Sequence, residues 1–188
     1  TMCGNGGRCI VAFANFLGII EKHTEFIAID GLHLAQIDAD FVELKMQDVS
    51  AISTNDSHYI LDTGSPHYVA LRPGLDTIDM NLEGSKIRHT PPFDASGINV
   101  NFAEKINENT FSIRTYERGV EGETLSCGTG ATAVAIAMHH SKQTQSKSIA
   151  LETQGGVLQV RFEPLSSSYS DVWLCGPTKQ VFKGDLEW

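Results

Sequence analysis

The sequence predicts an α+β protein of two pseudo-symmetric halves, each a mixed β-sheet or barrel around a central buried helix. Three observations lead there. A Cys-Gly-x-Gly turn occurs twice, as Cys3-Gly4-Asn5-Gly6 and as Cys127-Gly128-Thr129-Gly130. Each turn runs into small and apolar residues that leave almost no polar face, the pattern of a helix enclosed by protein. Short β-prone segments punctuated by Gly, Pro, Asn and Asp surround both helices, so the repeated unit is one helix with its strands.

Taken in order, residues 8–17 carry Ile10, Val11, Phe13, Phe16 and Leu17 and read as a buried helix stopped by Gly18. Residues 25–29 and 32–37 flank Asp30-Gly31, a hairpin signal. Residues 41–46 form a further strand. Strands at 59–61 and 68–71 bracket a loop from Asp62 to His67. Residues 76–89 are predicted helical, with Pro91-Pro92 ending the run. Strands follow at 98–102, 110–116, 149–153, 157–162, 171–175 and 180–183, with the second helix at 131–139. On this reading residues 1–47 plus 176–188 make a partial first domain and residues 48–175 a second.

The bulk numbers exclude several classes. The chain has 188 residues, with 14 Lys and Arg against 23 Asp and Glu, a formal charge of −9. An acidic surface without a basic cluster repels phosphate, so no nucleic-acid partner is expected. No apolar run reaches the ~18 residues of a membrane span, and no signal peptide is recognisable. The four cysteines, at 3, 9, 127 and 175, are too few for a disulfide framework and lack the spacing of a structural metal site. A reducing cytoplasm is the default, and no metal is expected. Cys9, inside the apolar helix, and Cys175, at a strand end, read as core residues.

The two cysteines that open the helices are different. A helix N-terminus has unpaired N–H groups and a partial positive charge. A thiolate placed there is stabilised, and its pKa can fall to roughly 3.5–7.5. The same N–H groups can hold a carboxylate, and glycines let a ligand come close. Two facing turns would supply two bases on opposite sides of one bound carboxylate. That arrangement inverts a stereocentre by deprotonation on one face and reprotonation on the other, with coupled titration of the two sulfurs.

The surrounding residues resemble a known family. Met2-Cys3-Gly4-Asn5-Gly6-Gly7-Arg8-Cys9 resembles the first cysteine motif of diaminopimelate epimerases, and the stretch from Tyr116-Glu117-Arg118-Gly119 through Ser126-Cys127-Gly128-Thr129-Gly130-Ala131 resembles the second. Asp62-Thr63-Gly64-Ser65-Pro66-His67-Tyr68-Val69 and Ile98-Asn99-Val100-Asn101-Phe102 resemble two more of its motifs. The likeness implies a cleft between two domains, no cofactor, and interconversion of LL- and meso-diaminopimelate in lysine and peptidoglycan precursor synthesis. It implies Cys3 and Cys127 as the acid–base pair. Gly4, Asn5, Gly128 and Thr129 correspond to the carboxylate cradle. Asn99, Arg118 and Glu117 correspond to groups at the distal end of the substrate, and His67 and Glu117 to groups that tune the thiols. Ser65 stands where the family commonly has Asn, and its shorter side chain makes a direct substrate contact doubtful.

The family has roughly seventy residues before its first cysteine motif, about the length needed to complete two domains. The first domain is therefore expected to be incomplete in this sequence, with residues preceding Thr1 in the natural protein. The expected partners are a small amino-acid substrate and, as an option for assembly, a second copy in a homodimer. The alternatives are a racemase of another amino acid, similar to the proline racemases, or an inactive truncated fragment. Glu117-Arg118 argues for a substrate with a zwitterionic distal end over a cyclic one.

Overall fold

A computed structural model describes residues 2–185. Helix α1 (Gly4–Phe16) comes first, then strands β1 (His23–Ala28), β2 (Gly31–Asp38), β3 (Phe41–Lys45), β4 (Ile52–Thr54), β5 (Tyr59–Asp62) and β6 (Pro66–Leu71). Helix α2 (Met80–Arg88) precedes β7 (Asn99–Asn107), β8 (Thr110–Glu117) and β9 (Gly122–Thr124). Helix α3 (Gly128–His140) precedes β10 (Ser148–Thr153), β11 (Gly156–Pro164) and β12 (Tyr169–Pro177). The strands form one mixed sheet in the order β1-β2-β3-β12-β11-β10-β8-β7-β6-β5-β4, with β9 on β8. Neighbours are antiparallel except β6/β7 and β8/β10. Few helices on a mixed sheet is the α+β architecture read from the sequence.

The sheet wraps around α3, which touches β5, β6, β7, β8, β10, β11 and β12. Every residue from Gly128 to Met138 is buried. Small side chains (Gly, Ala and Thr) let the strands close on all sides, and Val134, Ile136 and Met138 fill what remains. Its sequence could not sit at a surface without leaving that apolar area in water.

Helix α1 departs from the expected all-round burial. The stripe Gly4, Gly7, Arg8 and Val11, at helical spacing, packs toward β2, β3 and α3. The opposite face is open: Ile10 and Phe13 are each 58% exposed, and Cys9 lies there too rather than in the core. One helix face meets one sheet, and the other has only the segment from Thr178 to Phe182 beside it, which leaves Phe13 and Phe16 more than half exposed. Gly18 ends the helix as expected. Its φ of 69° permits paired bonds from Gly18 N to Asn15 O and from Ile19 N to Ala14 O.

Other boundaries moved for local reasons. The first hairpin turns through Ile29 and Asp30, one residue earlier than the Asp-Gly signal. The Asp30 carboxylate is held by buried His33, at 3.0 Å from Nε2. The expected helix at 76–89 is a 3-10 turn over Leu75–Thr77 followed by α2, because Asp79 caps a new start by accepting from Leu82 N. Strands β4 and β9 are short pairings with no strong sequence pattern. The strand expected at 180–183 is absent. Both edges of β12 are already paired, and Pro177 brings no N–H to extend the ladder. Thr1 and residues 186–188 of the expected first domain lie outside the described residues.

The two helix mouths abut. A Cβ built on Gly128 would come within 3.2 Å of Gly4 Cα and 2.8 Å of Leu174 Cδ2, and one on Gly4 would meet Gly128 Cα at 3.4 Å. A side chain at either glycine would crowd the facing backbone and displace the end of Leu174. Gly128→Ala is expected to cost about 1–3 kcal/mol of stability through overpacking. A urea melt that moves the midpoint at constant slope checks this. An unchanged midpoint would mean the two helix ends are not in contact.

Candidate active site

Cys3 and Cys127 are the N-cap residues of α1 and α3. Their backbones match, with φ −90° and ψ 113° at Cys3 and φ −116° and ψ 113° at Cys127. Each cap carbonyl accepts from the N–H four residues on, Gly7 at 2.8 Å and Ala131 at 2.9 Å. The N–H groups of Gly4, Asn5, Gly128 and Thr129 have no partner four residues back inside their helices. Both cysteines and all four of these residues line one cavity of about 250 Å³, the size of a small-molecule site.

The other wall is polar. Ser65, Asn99, Glu117 and Arg118 line it, all at strand ends or in the adjoining turns. Ser65 is buried, and its hydroxyl oxygen accepts from Asn99 Nδ2 at 2.9 Å and from Arg118 Nη2 at 3.2 Å. Asn99 Oδ1 in turn accepts from the Arg118 backbone N–H at 2.9 Å. Arg118 Nη1 donates to Ser96 O. No carboxylate among the described residues pairs with Arg118, so its charge is free for an anion entering the cavity. Glu117 accepts from Thr124 Oγ1 at 2.9 Å. Adjacent in sequence, Glu117 and Arg118 do not pair with each other.

The thiols differ in environment. Cys3 is exposed, and its sulfur accepts from Gly6 N at 3.4 Å. Cys127 is only 7% exposed, and its sulfur lies 3.4 Å from Thr129 Oγ1. The sequence argument expected the helix end to depress the pKa of such a cysteine. At Cys127 burial does the opposite and pushes the thiol up. The Thr129 hydroxyl and the Gly130 N–H pull it down, while nearby Glu117 and Cys3 add to the rise. Desolvation is the largest of these effects, because a buried sulfur has little water to solvate its thiolate.

His67 was expected in a loop and is not. It lies in β6, fully buried, opposite Asn99 in the sheet register. It does not line the cavity. Its Nδ1 accepts from Asn101 Nδ2 at 3.0 Å, and Asn101 Oδ1 accepts from Thr115 Oγ1 at 2.9 Å. This network packs against Gly130 in the first turn of α3, where a Cβ would sit 2.5 Å from Asn101 Oδ1. Burial, with help from Arg118, lowers the His67 pKa to about 3, so the ring is neutral near pH 7.

The sequence reading missed Met2 and Ser126, which also line the cavity. It also passed over Asn101 and Thr115, which buttress α3 from behind. Strand periodicity alone places these residues inward, but nothing in it marks them as polar partners of His67. Among the described residues no group of three or more His, Cys, Asp or Glu is set to hold a metal ion.

Two cysteines at matched helix mouths line one small cavity with an arginine that pairs with no carboxylate among the described residues, a set that suits an amino-acid racemase or epimerase. Solved structures share the fold. A hydroxyproline epimerase from Agrobacterium vitis superposes over 94% of this chain and 63% of its own length, with TM-score 0.68 and 18% identity. A phenazine biosynthesis protein of the PhzF family from Bacillus anthracis superposes over 94% and 73%, with TM-score 0.69 and 13% identity. At those identities the likeness is of fold alone.

The family model for diaminopimelate epimerase matches residues 59–170. A diaminopimelate epimerase from Flavobacterium psychrophilum is 50% identical over 184 residues, covering 97% of this chain and 72% of the relative. One from Chlorobaculum tepidum is 37% identical over 196 residues, covering 99% and 75%. The chain belongs to the diaminopimelate epimerase family, and is accordingly an amino-acid isomerase.

A neutral buried histidine has a pH signature. The folded pKa lies below the unfolded value of about 6.5, so the unfolded chain takes up a proton that the folded chain refuses. Stability that is full above pH ~6.5 is lost as pH falls toward about 3. Between pH 6.5 and 5 the loss from His67 is about 2 kcal/mol. His67→Gln is expected to flatten the unfolding free energy across that window. An equal slope in wild type and variant would contradict the burial of a neutral ring.

Proposed function

We propose that the cavity epimerises diaminopimelate between LL and meso forms, with Cys3 and Cys127 as the acid–base pair. The observation that carries this is the placement of both sulfurs at matched helix N-termini lining one cavity. The substrate carboxylate at the reacting carbon rests on the free N–H groups of Gly4, Asn5, Gly128 and Thr129. One sulfur removes the α proton while the other delivers a proton to the opposite face. As the C–H bond breaks, charge spreads into the carboxylate, where the two helix ends stabilise it more than they stabilise the ground state. Burial pushes the Cys127 thiol up, which favours its protonated form in the open cavity, and the two sulfurs exchange the acid and base roles when the reaction runs in the other direction.

The distal amino-acid end lies against the other wall. Arg118 takes the distal carboxylate with its guanidinium fork, Asn99 adds polar contact, and Glu117 takes the distal ammonium. Ser65 holds Asn99 and Arg118 in place. Glu117 and His67 act on the thiols through their position beside Cys127 and behind α3. The reading extends to residues 1–47 plus 176–188 as one domain and 48–175 as the other, with the cleft between them. It also includes diaminopimelate as the small-molecule partner, a homodimer, and a cytoplasmic location, which suits free cysteines. No helix among the described residues is long and apolar enough to cross a membrane.

Replacing either cysteine by alanine is expected to lower kcat in the complete protein by ~10³-fold, the scale of a lost general acid or base. Turnover in deuterated water is expected to place one solvent deuteron at the inverted carbon of each product molecule, read by mass spectrometry. Product formed without deuterium, or full activity in Cys3→Ala or Cys127→Ala, would defeat the two-sulfur mechanism.

A further inference from the structure

Arg8 is the one charged residue on the buried stripe of α1. Of the six arginines, Arg88, Arg114 and Arg161 each pair with a carboxylate. Arg8 pairs with none among the described residues. It is 6% exposed, and its Nε and Nη1 are buried without a hydrogen-bond partner among the described residues. The guanidinium packs over Gly176 of β12, where a Cβ would come within 3.6 Å of Cζ and Nε. The neighbouring Cys175 offers no countercharge, since burial pushes its thiol up to about 11.

A buried charge without an ionic partner costs stability, and an apolar side chain of similar volume would be cheaper there. Packing therefore does not account for the residue. Its one hydrogen bond does. Arg8 Nη2 donates to Asn5 Oδ1 at 3.1 Å, and Asn5 Nδ2 donates to Ser126 O at 2.9 Å. Asn5 is in the first turn of α1, and Ser126 immediately precedes Cys127. The Asn5 amide is thus a strut between the two cysteine turns. Left alone, an amide can turn over and present its oxygen to the Ser126 carbonyl, which would repel it. A donor fixed on Oδ1 leaves only the bridging orientation.

We propose that Arg8 is a positioning residue for the epimerisation: it orients the Asn5 amide so that the first cysteine turn is tied to the backbone carrying Cys127. The proposal rests on the two-cysteine reading above. Arg8 touches neither cavity nor substrate and acts through Asn5. The strut sets the separation and angle of the two sulfurs, to which the rate of proton transfer is sensitive, and it leaves the distal binding wall untouched.

The test uses the complete protein. Arg8→Met keeps the reach of the side chain and removes its donors. The expected result is a fall in kcat of about tenfold, the worth of a charged hydrogen bond, with KM changed less than about threefold and no fall in melting temperature. Asn5→Asp keeps an acceptor for Arg8 and removes the donor to Ser126. It leaves the backbone N–H of residue 5 in place, and its kcat is expected to fall by a similar factor. The double variant R8M/N5D is expected to be no slower than N5D, because both changes break one strut. Without substrate, the Asn5 side-chain amide in a ¹H–¹⁵N spectrum is expected to shift in R8M. Wild-type kcat in either single variant, losses that multiply in the double variant, an unmoved Asn5 amide, or an R8M protein that does not fold would each overturn the proposal. A wild-type protein that turns over no diaminopimelate defeats the functional reading instead, and the amide shift alone then decides the role of Arg8.

Discussion

Gly4 and Gly128 meet backbone to backbone, and the geometry of the site descends from that contact. Each follows a cysteine and opens a helix. Because neither has a side chain, the two helix ends approach until a Cβ on either would crowd the other backbone and clash with the end of Leu174. The caps and the first residues of both helices then line one shared cavity. The α3 mouth is held rigidly, since strands enclose that helix on all sides. The α1 mouth rests on β2, β3 and α3 by a single stripe. The site is thus the join between a fixed wall and one held by fewer contacts, and the Asn5 bridge to Ser126 spans that join.

Two opposing electrostatic effects act at the sulfurs. Helix ends favour thiolate, and burial favours thiol. At Cys127 burial prevails, and the negative charge of Glu117 reinforces it. Cys3 is open to water in the same cavity. The two sulfurs of the proposed pair therefore sit in unlike surroundings, one enclosed and one open to water. Behind Cys127, the neutral His67 with Asn101 and Thr115 supports the first turn of α3 without adding charge.

Much of this was legible in the sequence. The repeated Cys-Gly-x-Gly turn located both helix mouths, and the motifs around Ser65, Asn99 and Glu117-Arg118 located the polar wall. The uniform apolarity of α3 correctly gave an enclosed helix. The same pattern misled for α1, where Ile10 and Phe13 face outward and Cys9 with them. Composition records what a helix can bury, and neighbours decide what it does bury. His67 looked like a loop residue because Ser-Pro precedes it, yet sheet pairing with Asn99 drew it inside. The upward shift of the Cys127 thiol was hidden for a similar reason: a helix end is visible in a sequence, and the degree of desolvation around it is not. Arg8 stood in the sequence only as one letter of the first cysteine motif, and both its place on the buried stripe and its bond to Asn5 required coordinates.

The proposed chemistry requires one tetrahedral carbon to fit between the two sulfurs. A crystal structure of the complete protein with a substrate-like amino acid bound tests it most directly. The account predicts that both sulfurs lie within about 3–3.5 Å of the same α carbon or its hydrogen, on opposite faces, with the carboxylate against the N–H groups of both helices. A ligand whose α carbon contacts one sulfur only, or both from one side, would contradict it.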